Sequence, residues 1–330
     1  MTEEPLVTIG MPVRDREAVL PRVLDAILAL DYPKDRIRFV FNENMSKDRT
    51  PEMLEEFKER YGDLYEDVRI THGKGVLGEL RNQCIEEAEG TYAIVFIDSD
   101  VIVKPNTMIR LVRYLGPPEV GMSMIAYPPP RWPRGPSEEM FALSTPPRPH
   151  ETIEVGMGCT AIKMSILSKT GLFPPLHRNE DGAFSYKVRM AGYKIIADPT
   201  DPVDHLHTGY WNYYWFYWHF MGRARWELIK TTRSPRLILR VVYYTAYLAT
   251  IPFILASPLP FLAMTALTLS YHLTRYHGAY GRLVGPFFSV SVGWWSTICT
   301  WKEALLDLVG KGSLKTEDEV QRRLKREFAL

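Results

Sequence analysis

The chain has 330 residues, 46% of them hydrophobic, and a formal charge of +1 at pH 7. That length can bury one large core, and the near-zero charge gives no electrostatic reason to bind nucleic acid, so any anionic ligand must be met by local groups. Three cysteines, Cys84, Cys159 and Cys299, stand far apart without a CxxC pair, which argues against a disulfide framework or a structural zinc site and fits a reducing compartment.

The stretch Met1 to Pro5 is acidic and runs directly into a strand-like segment, so no cleaved signal is expected. From Leu6 to Ala197, short β-branched runs alternate with helical patterns. Leu6 to Met11 reads as a strand, Glu17 to Leu30 as a helix, Ile37 to Asn42 as a strand and Pro51 to Arg60 as a helix. Val68 to Thr71, the helix Gly78 to Glu89 and the apolar strand Tyr92 to Ile97 continue the alternation. This order predicts an α/β fold with a mostly parallel sheet and crossover helices. In open sheets of this kind ligands lie at the carboxyl edge of the strands, which is where Tyr92 to Ile97 runs into acidic residues.

Eight prolines between Tyr127 and His150, interspersed with Arg131, Trp132, Arg134 and Arg148, forbid a regular element there. The segment reads either as an active-site flap or as a surface excursion with no role. Order resumes at Gly156 to Lys163.

Composition changes after about Thr208. Tyr210 to Phe220 is crowded with Trp and Tyr, rings that suit a bilayer interface; a buried aromatic strip is the alternative. Apolar runs follow at Leu237 to Ala256, Leu259 to Leu273 and Val284 to Trp301, against the roughly 20 residues needed to cross a bilayer. The cations Arg223, Arg225, Lys230, Arg233, Arg236 and Arg240 precede the first run, and none follows it in Ser257 to Pro260, so the domain before it is expected on the cytoplasmic side of the cell membrane. The predicted division is an α/β catalytic domain over 1–208, an aromatic interfacial segment over 209–236, two or three membrane helices over 237–310 and a charged cytoplasmic tail over 311–330. The third run is expected to be interfacial or partly inserted, because a third span would export the basic tail.

The motif Asp98-Ser99-Asp100 closes an apolar strand. Two carboxylates one residue apart can share a divalent cation with a nucleoside diphosphate, and such oxygen ligands suit Mg²⁺ or Mn²⁺; taken alone the motif is as well read as a solvated turn. Asn179-Glu180-Asp181-Gly182 leads into a helical pattern. Its carboxylates can cap that helix, or one of them can serve as a rigid general base. In Asp204-His205-Leu206-His207 the two imidazoles alternate along an extended segment and could reach a metal or a diphosphate; the plainer reading is one buried histidine and one solvated one.

Taken in order, these pieces resemble family 2 glycosyltransferases of GT-A fold over roughly Val7 to Trp226. Val7 to Asp15 (VTIGMPVRD) looks like the opening strand and nucleotide-binding turn, and Phe41 to Thr50 (FNENMSKDRT) like the acidic DDxSxDxT segment. Arg81-Asn82 resembles the Arg-Asn pair, Asp98 and Asp100 the DxD, Gly156 to Ala161 the glycine-containing acceptor strand, and Glu180-Asp181 the ED pair. Gly222 to Trp226 (GRARW) resembles the QxxRW motif of membrane-bound members. The resemblance implies an inverting transferase with Asp181 as base and Glu180 supporting the acceptor. Asp100 would be the principal ligand of Mg²⁺ or Mn²⁺, with Asp98 on the metal or a ribose and His207 a further metal candidate. Pro12, Val13, Arg14, Glu43, Asn44, Arg81, Arg223, Arg225 and Trp226 would line the site of a nucleoside-diphosphate sugar, and the acceptor would be a lipid or lipid-linked glycan at the membrane.

Two departures are visible. Glu43-Asn44 replaces paired aspartates, and Gly222 replaces the first Gln of QxxRW, which weakens a processive polysaccharide synthase as the reading. A membrane scaffold that binds a nucleotide sugar without catalysis is the alternative from another class, and Asp98, Asp100 and Asp181 argue against it. A nucleotidyltransferase would want a glycine- and lysine-rich phosphate loop, which Gly10 to Arg16 is not.

Overall fold

The computed structural model describes residues 4–126, 146–176, 179–206, 222–273 and 278–309. The described residues up to 206 form one compact unit and those from 222 a second. Part of the proline-rich segment, His207, Tyr210 to Phe220, Arg275 and the charged tail lie outside the described residues.

The first unit is built on eight strands in the order β3-β2-β1-β4-β8-β6-β9-β7. These are β1 (Val7–Val13), β2 (Ile37–Glu43), β3 (Asp67–His72), β4 (Ala93–Ile97), β6 (Val120–Ile125), β7 (His150–Thr152), β8 (Cys159–Lys163) and β9 (Lys194–Asp198). Two short strands, β5 (Val101–Ile102) and β10 (Asp204–His205), pair antiparallel beside them. The chain winds outward from β1 through β2 to β3, then returns to lay β4 on the other side of β1, all in parallel. β8 runs antiparallel to β4 and β6, and β7 antiparallel to β9, so the sheet is mixed while its β1-centred half is parallel.

Helices α1 (Leu20–Leu28), α2 (Thr50–Tyr61), α3 (Leu77–Glu87), α4 (Thr107–Tyr114) and α5 (Glu180–Met190) cover the sheet. Because both faces are covered, the central strands are near-continuous apolar runs whose alternate residues enter two different cores. Ala93, Val95 and Ile97 of β4 join Val7, Ile9, Met11 and Val13 on one side; Ile94 and Phe96 join Val40, Cys84 and Phe184 on the other. Cys84 and Cys159 are fully buried packing residues, and burial pushes both thiols up to about 12. The point where the winding direction reverses lies between β1 and β4, so their carboxyl ends open a crevice.

The second unit is helical: α6 (Gly222–Thr232), α7 (Pro235–Ala249), α8 (Leu259–Leu273) and α9 (Gly278–Leu308). Two glycines permit its close packing. A Cβ on Gly222 would stand 2.6 Å from Cys299 Cβ and 2.7 Å from the Cys299 carbonyl oxygen, and one on Gly293 would overlap the Tyr244 ring. The prediction of membrane-crossing helices is corrected here. Among the described residues no helix is both long and apolar enough to cross a membrane. α7 and α8 are 15 residues each, about 22 Å at about 1.5 Å per residue, against the roughly 30 Å of a hydrocarbon core. Hydropathy runs straight through Pro252 and Pro258, whereas the helices do not. α9 is 31 residues long but carries Pro286, Lys302, Glu303 and Asp307.

Candidate donor and acid-base site

The loops that follow β1 and β2 are stitched into one wall at the crevice. Asp15, at φ 50°, donates its backbone N–H to Ser46 Oγ at 3.0 Å and accepts from the Lys47 backbone at 2.8 Å. Arg16 N–H donates to Thr50 Oγ1 at 2.7 Å, and Glu17 N–H to Asp48 Oδ2 at 3.1 Å. Ser46, Asp48 and Thr50 of the acidic segment are therefore spent on backbone N–H groups of the neighbouring loop. Glu43 is buried and accepts from the Ser46 backbone; burial would raise its carboxyl, but the Ser46 and His72 hydrogen bonds outweigh that and hold it below the usual range. Asn44, also buried, donates its N–H to Val13 C=O at 2.8 Å. Val13 is 1% exposed, which corrects its place among the donor contacts: its side chain packs in the core with Val7, Ile9 and Met11. Pro12 is the last residue but one of the same strand, and Arg14 Nε lies 4.0 Å from Asp15 Oδ2.

After β4, Asp98 and Asp100 project from the turn that the Val101 N–H closes onto Asp98 C=O. Their side chains are 32% and 20% exposed. Asp98 Oδ1 accepts from Arg81 Nη2 at 3.1 Å. Asp100 stands between Arg16 Nη2 at 3.4 Å and His205 Nε2 at 3.2 Å. Pairing of β10 with β5 holds that imidazole in place, since His205 is in register with Val101. Arg16 also donates through Nε to Ser99 Oγ at 3.2 Å, so it reaches the whole DxD turn. Sequence reading passed over Arg16 in favour of Arg14; Arg16 follows the positive-φ Asp15, and only that turn shows which arginine doubles back.

Arg81 is the centre of the arrangement. Its side chain is 2% exposed, its Nε donates to Glu180 Oε1 at 3.3 Å, and its guanidinium lies 5.0 Å from the Phe96 ring centroid. Burial opposes its charge, but Asp98, Glu180 and Asp181 overcome that and keep it protonated. Its Nη1 is buried without a hydrogen-bond partner. One cation thus joins the DxD to the ED pair, 99 residues away from Glu180 along the chain. Asn82, the other half of the Arg-Asn pair, exchanges two 2.9 Å hydrogen bonds with the Phe173 backbone. Phe173 stacks on Phe184 of α5 at 4.2 Å, so Asn82 fixes the ground beneath the ED helix.

Asp181 lies in the first turn of α5, which follows Asn179 at a left-handed φ of 58°. Its Oδ1 accepts from the Gly182 backbone at 2.7 Å. Desolvation first, then the charges of Glu180 and Glu154, push its carboxyl up to about 8 despite Arg81. Glu154 had no signal in the sequence, because its influence is through space. A carboxyl held this far above its ordinary range is a competent proton acceptor near neutrality.

For a metal, the described residues supply two partly exposed carboxylates with an imidazole on one of them, a donor set that fits a hard divalent cation. Among the described residues no group of three or more His, Cys, Asp or Glu is preassembled for one, so a cation here would need ligands from elsewhere; His207 lies outside the described residues. Arg225 and Trp226 belong to α6, where Trp226 Nε1 donates to Asp307 at 3.0 Å; the side chain of Arg223 lies outside the described residues.

A model described as glycosyl transferase family 2 matches residues 8–170. The β-monoglucosyldiacylglycerol synthase of Synechocystis sp. is 28% identical over 117 residues, covering 36% of this chain and 24% of that protein. The poly(ribitol-phosphate) β-glucosyltransferase of Bacillus spizizenii is 27% identical over 104 residues, covering 32% of this chain and 16% of that protein. The matched segments therefore span about a quarter or less of these relatives. Among solved structures, the mannosyltransferase PcManGT from Pyrobaculum calidifontis in complex with GDP-Man and Mn²⁺ superimposes with a TM-score of 0.63. It covers 93% of this chain and 88% of that one at 19% identity, a likeness of fold. With the matched segment running from β1 through β8, and the crevice between β1 and β4 carrying its acidic motifs, residues 8–170 form a glycosyl transferase family 2 domain.

Proposed function

We propose that the protein transfers a sugar, with inversion, from a nucleoside-diphosphate sugar to an acceptor presented at the cytoplasmic face of a membrane, a lipid or a lipid-linked glycan. The observation that carries the reading is the Arg81 bridge, which brings the DxD carboxylate of Asp98 and the ED pair to one buried guanidinium. In the reaction an acceptor hydroxyl oxygen forms a bond to the anomeric carbon while the bond to the diphosphate oxygen breaks on the opposite face. Asp181 takes the hydroxyl proton; its raised affinity for protons suits that task. Arg16 and Arg81 hold positive charge at the edge of the crevice where the diphosphate accumulates negative charge, and Arg81 Nη1 has a donor to spare. Asp98 and Asp100 are the residues that would hold Mg²⁺ or Mn²⁺, which supplies further positive charge toward the leaving group when bound. Glu43 and Asn44 line the wall on which a nucleoside would rest.

A membrane acceptor is supported by the apolar surface of the helical unit, where Leu239, Phe253, Leu255, Leu259 and Leu308 are among the exposed large side chains. One curated relative is named for a glucosyldiacylglycerol product. The experiment is donor screening with full-length protein, Mn²⁺ or Mg²⁺ and total membrane lipid, with products resolved by chromatography. A new glycolipid is expected; donor turnover that yields only free sugar, or glycosylates only soluble sugars, would overturn the membrane acceptor.

A further inference from the structure

The helical unit contains a hairpin whose polarity is graded from end to end. α7 and α8 pair antiparallel: Tyr243 bonds Met264 C=O at 3.2 Å and Thr268 Oγ1 at 2.5 Å, and one turn further on Tyr247 bonds Thr265. Hydroxyls thus satisfy one another inside the hairpin, and no Asp, Glu, Lys or Arg occurs between Val241 and Leu273. The turn that joins the helices and the first turn of α8 expose apolar side chains, Phe253 63% and Leu255 100% exposed in the former, Leu259 72% and Leu262 55% in the latter. At the opposite end Arg233, Arg236 and Arg240 are exposed, without an acidic residue between Glu227 and Glu303.

We propose that this hairpin inserts tip-first into a single leaflet of an anionic bilayer, with Arg233, Arg236 and Arg240 at the lipid phosphates and Leu255 near the midplane. The length supports it. From Arg240 to the end of α7 at Ala249 the helix rises about 14 Å at about 1.5 Å per residue, and a tight turn carries the chain on to Leu255. That is close to the roughly 15 Å of one leaflet's hydrocarbon and falls short of the roughly 30 Å of the whole core. Charge supports it as well. A second copy of the chain packed tip to tip would cover the leucines but leave three arginines without an anionic partner, whereas a leaflet with acidic headgroups meets both ends at once. Part of the tip's backbone is satisfied within the turn, with Thr250 N–H on Tyr247 C=O, Ala256 N–H on Phe253 C=O and Leu262 N–H on Pro258 C=O.

The inference deepens the membrane half of the proposed function and is independent of the chemistry, so its failure is read separately by vesicle binding. Full-length protein is mixed with sealed phosphatidylcholine vesicles, with or without phosphatidylglycerol, and floated on a density gradient. Flotation with the anionic vesicles is expected, and Arg233→Gln, Arg236→Gln and Arg240→Gln together weaken partitioning roughly a hundredfold. Phe253→Asp with Leu255→Asp abolishes it while the circular dichroism is unchanged, as both sites are exposed in the folded chain. For depth, Leu255→Cys is labelled with an environment-sensitive fluorophore; the three native cysteines are buried. Strongest quenching by lipids spin-labelled deep in the acyl chains supports the single-leaflet arrangement. Strongest quenching at headgroup depth overturns it, because the tip then either lies on the surface or emerges on the far side. Self-associated protein that fails to float overturns it too.

Discussion

Replacing Arg81 by Met removes the guanidinium and its charge from the centre of the site while keeping an unbranched apolar stem. Its two carboxylate partners respond differently. Asp98 has a side chain 32% exposed, so water replaces much of what the guanidinium gave it. Glu180 has a side chain only 4% exposed and cannot be rehydrated without moving α5. Removing one partner of a buried ion pair costs about 3–5 kcal/mol, and the asymmetry assigns most of that to Glu180. Set against a typical domain stability of about 5–15 kcal/mol, the loss is large but need not unfold the protein. Urea unfolding followed by far-ultraviolet circular dichroism reads it as a lower midpoint. Glu180→Gln in the Arg81→Met background should restore a good part of the loss, because it neutralises the group that lost its counter-charge. The acid limb of the pH–rate profile should also move upward, since the positive charge of Arg81 holds the Asp181 carboxyl lower than it would otherwise be. Arg81→Met within about 0.5 kcal/mol of wild type, or a double variant no more stable than the single one, would refute the bridge as an energetic unit.

Asp181→Asn should lower kcat by roughly 10² to 10⁴ with donor affinity unchanged, and erase an acid limb that in the wild type lies far above the ordinary carboxylate range. The same substitution should raise the melting temperature at pH 8: the folded state holds the Asp181 proton more tightly than the unfolded chain, so stability falls as pH rises from about 4 through about 8, and Asn removes that dependence. Differential scanning calorimetry at pH 5 and pH 8 checks the sign. Asp100→Asn should abolish transfer at every Mn²⁺ concentration of a metal titration while leaving the circular dichroism unchanged. Gly222→Gln, which restores the residue expected of a QxxRW motif, should destabilise the helical unit by about 1–3 kcal/mol, because any Cβ there meets the Cys299 backbone; an unchanged melting profile would contradict the packing.

Much of the first unit was legible because its strands are apolar on both faces and its turns carry acidic motifs at strand ends. β1, β2 and β4 follow that pattern, and Asp98 and Asp100 fall at the reversal of winding where an open sheet makes its crevice. What was not legible is through-space. Nothing local marks Arg81 as fully buried, Glu154 as a neighbour of Asp181, or Arg16 in place of Arg14 as the arginine that reaches Asp100. Val13 looked like part of a binding turn and packs in the core, because alternation in β1 sends it inward. The helical unit misled for a different reason. A hydropathy window sums over Pro252 and Pro258, whereas a helix ends there, so one apolar run of the expected spanning length became a 15-residue helix and a tight turn.

The central claim is inverting transfer with Asp181 as the proton acceptor, and its most direct test is the anomeric configuration of the product. Proton NMR of the isolated glycoside, made from an α-linked nucleoside-diphosphate sugar by full-length protein with Mn²⁺, reads that configuration from the anomeric coupling constant for a sugar whose anomers differ in it. A β-glycoside formed by wild type and reduced by orders of magnitude in Asp181→Asn is the result the structure predicts. An α-glycoside, or undiminished transfer by Asp181→Asn, would contradict it.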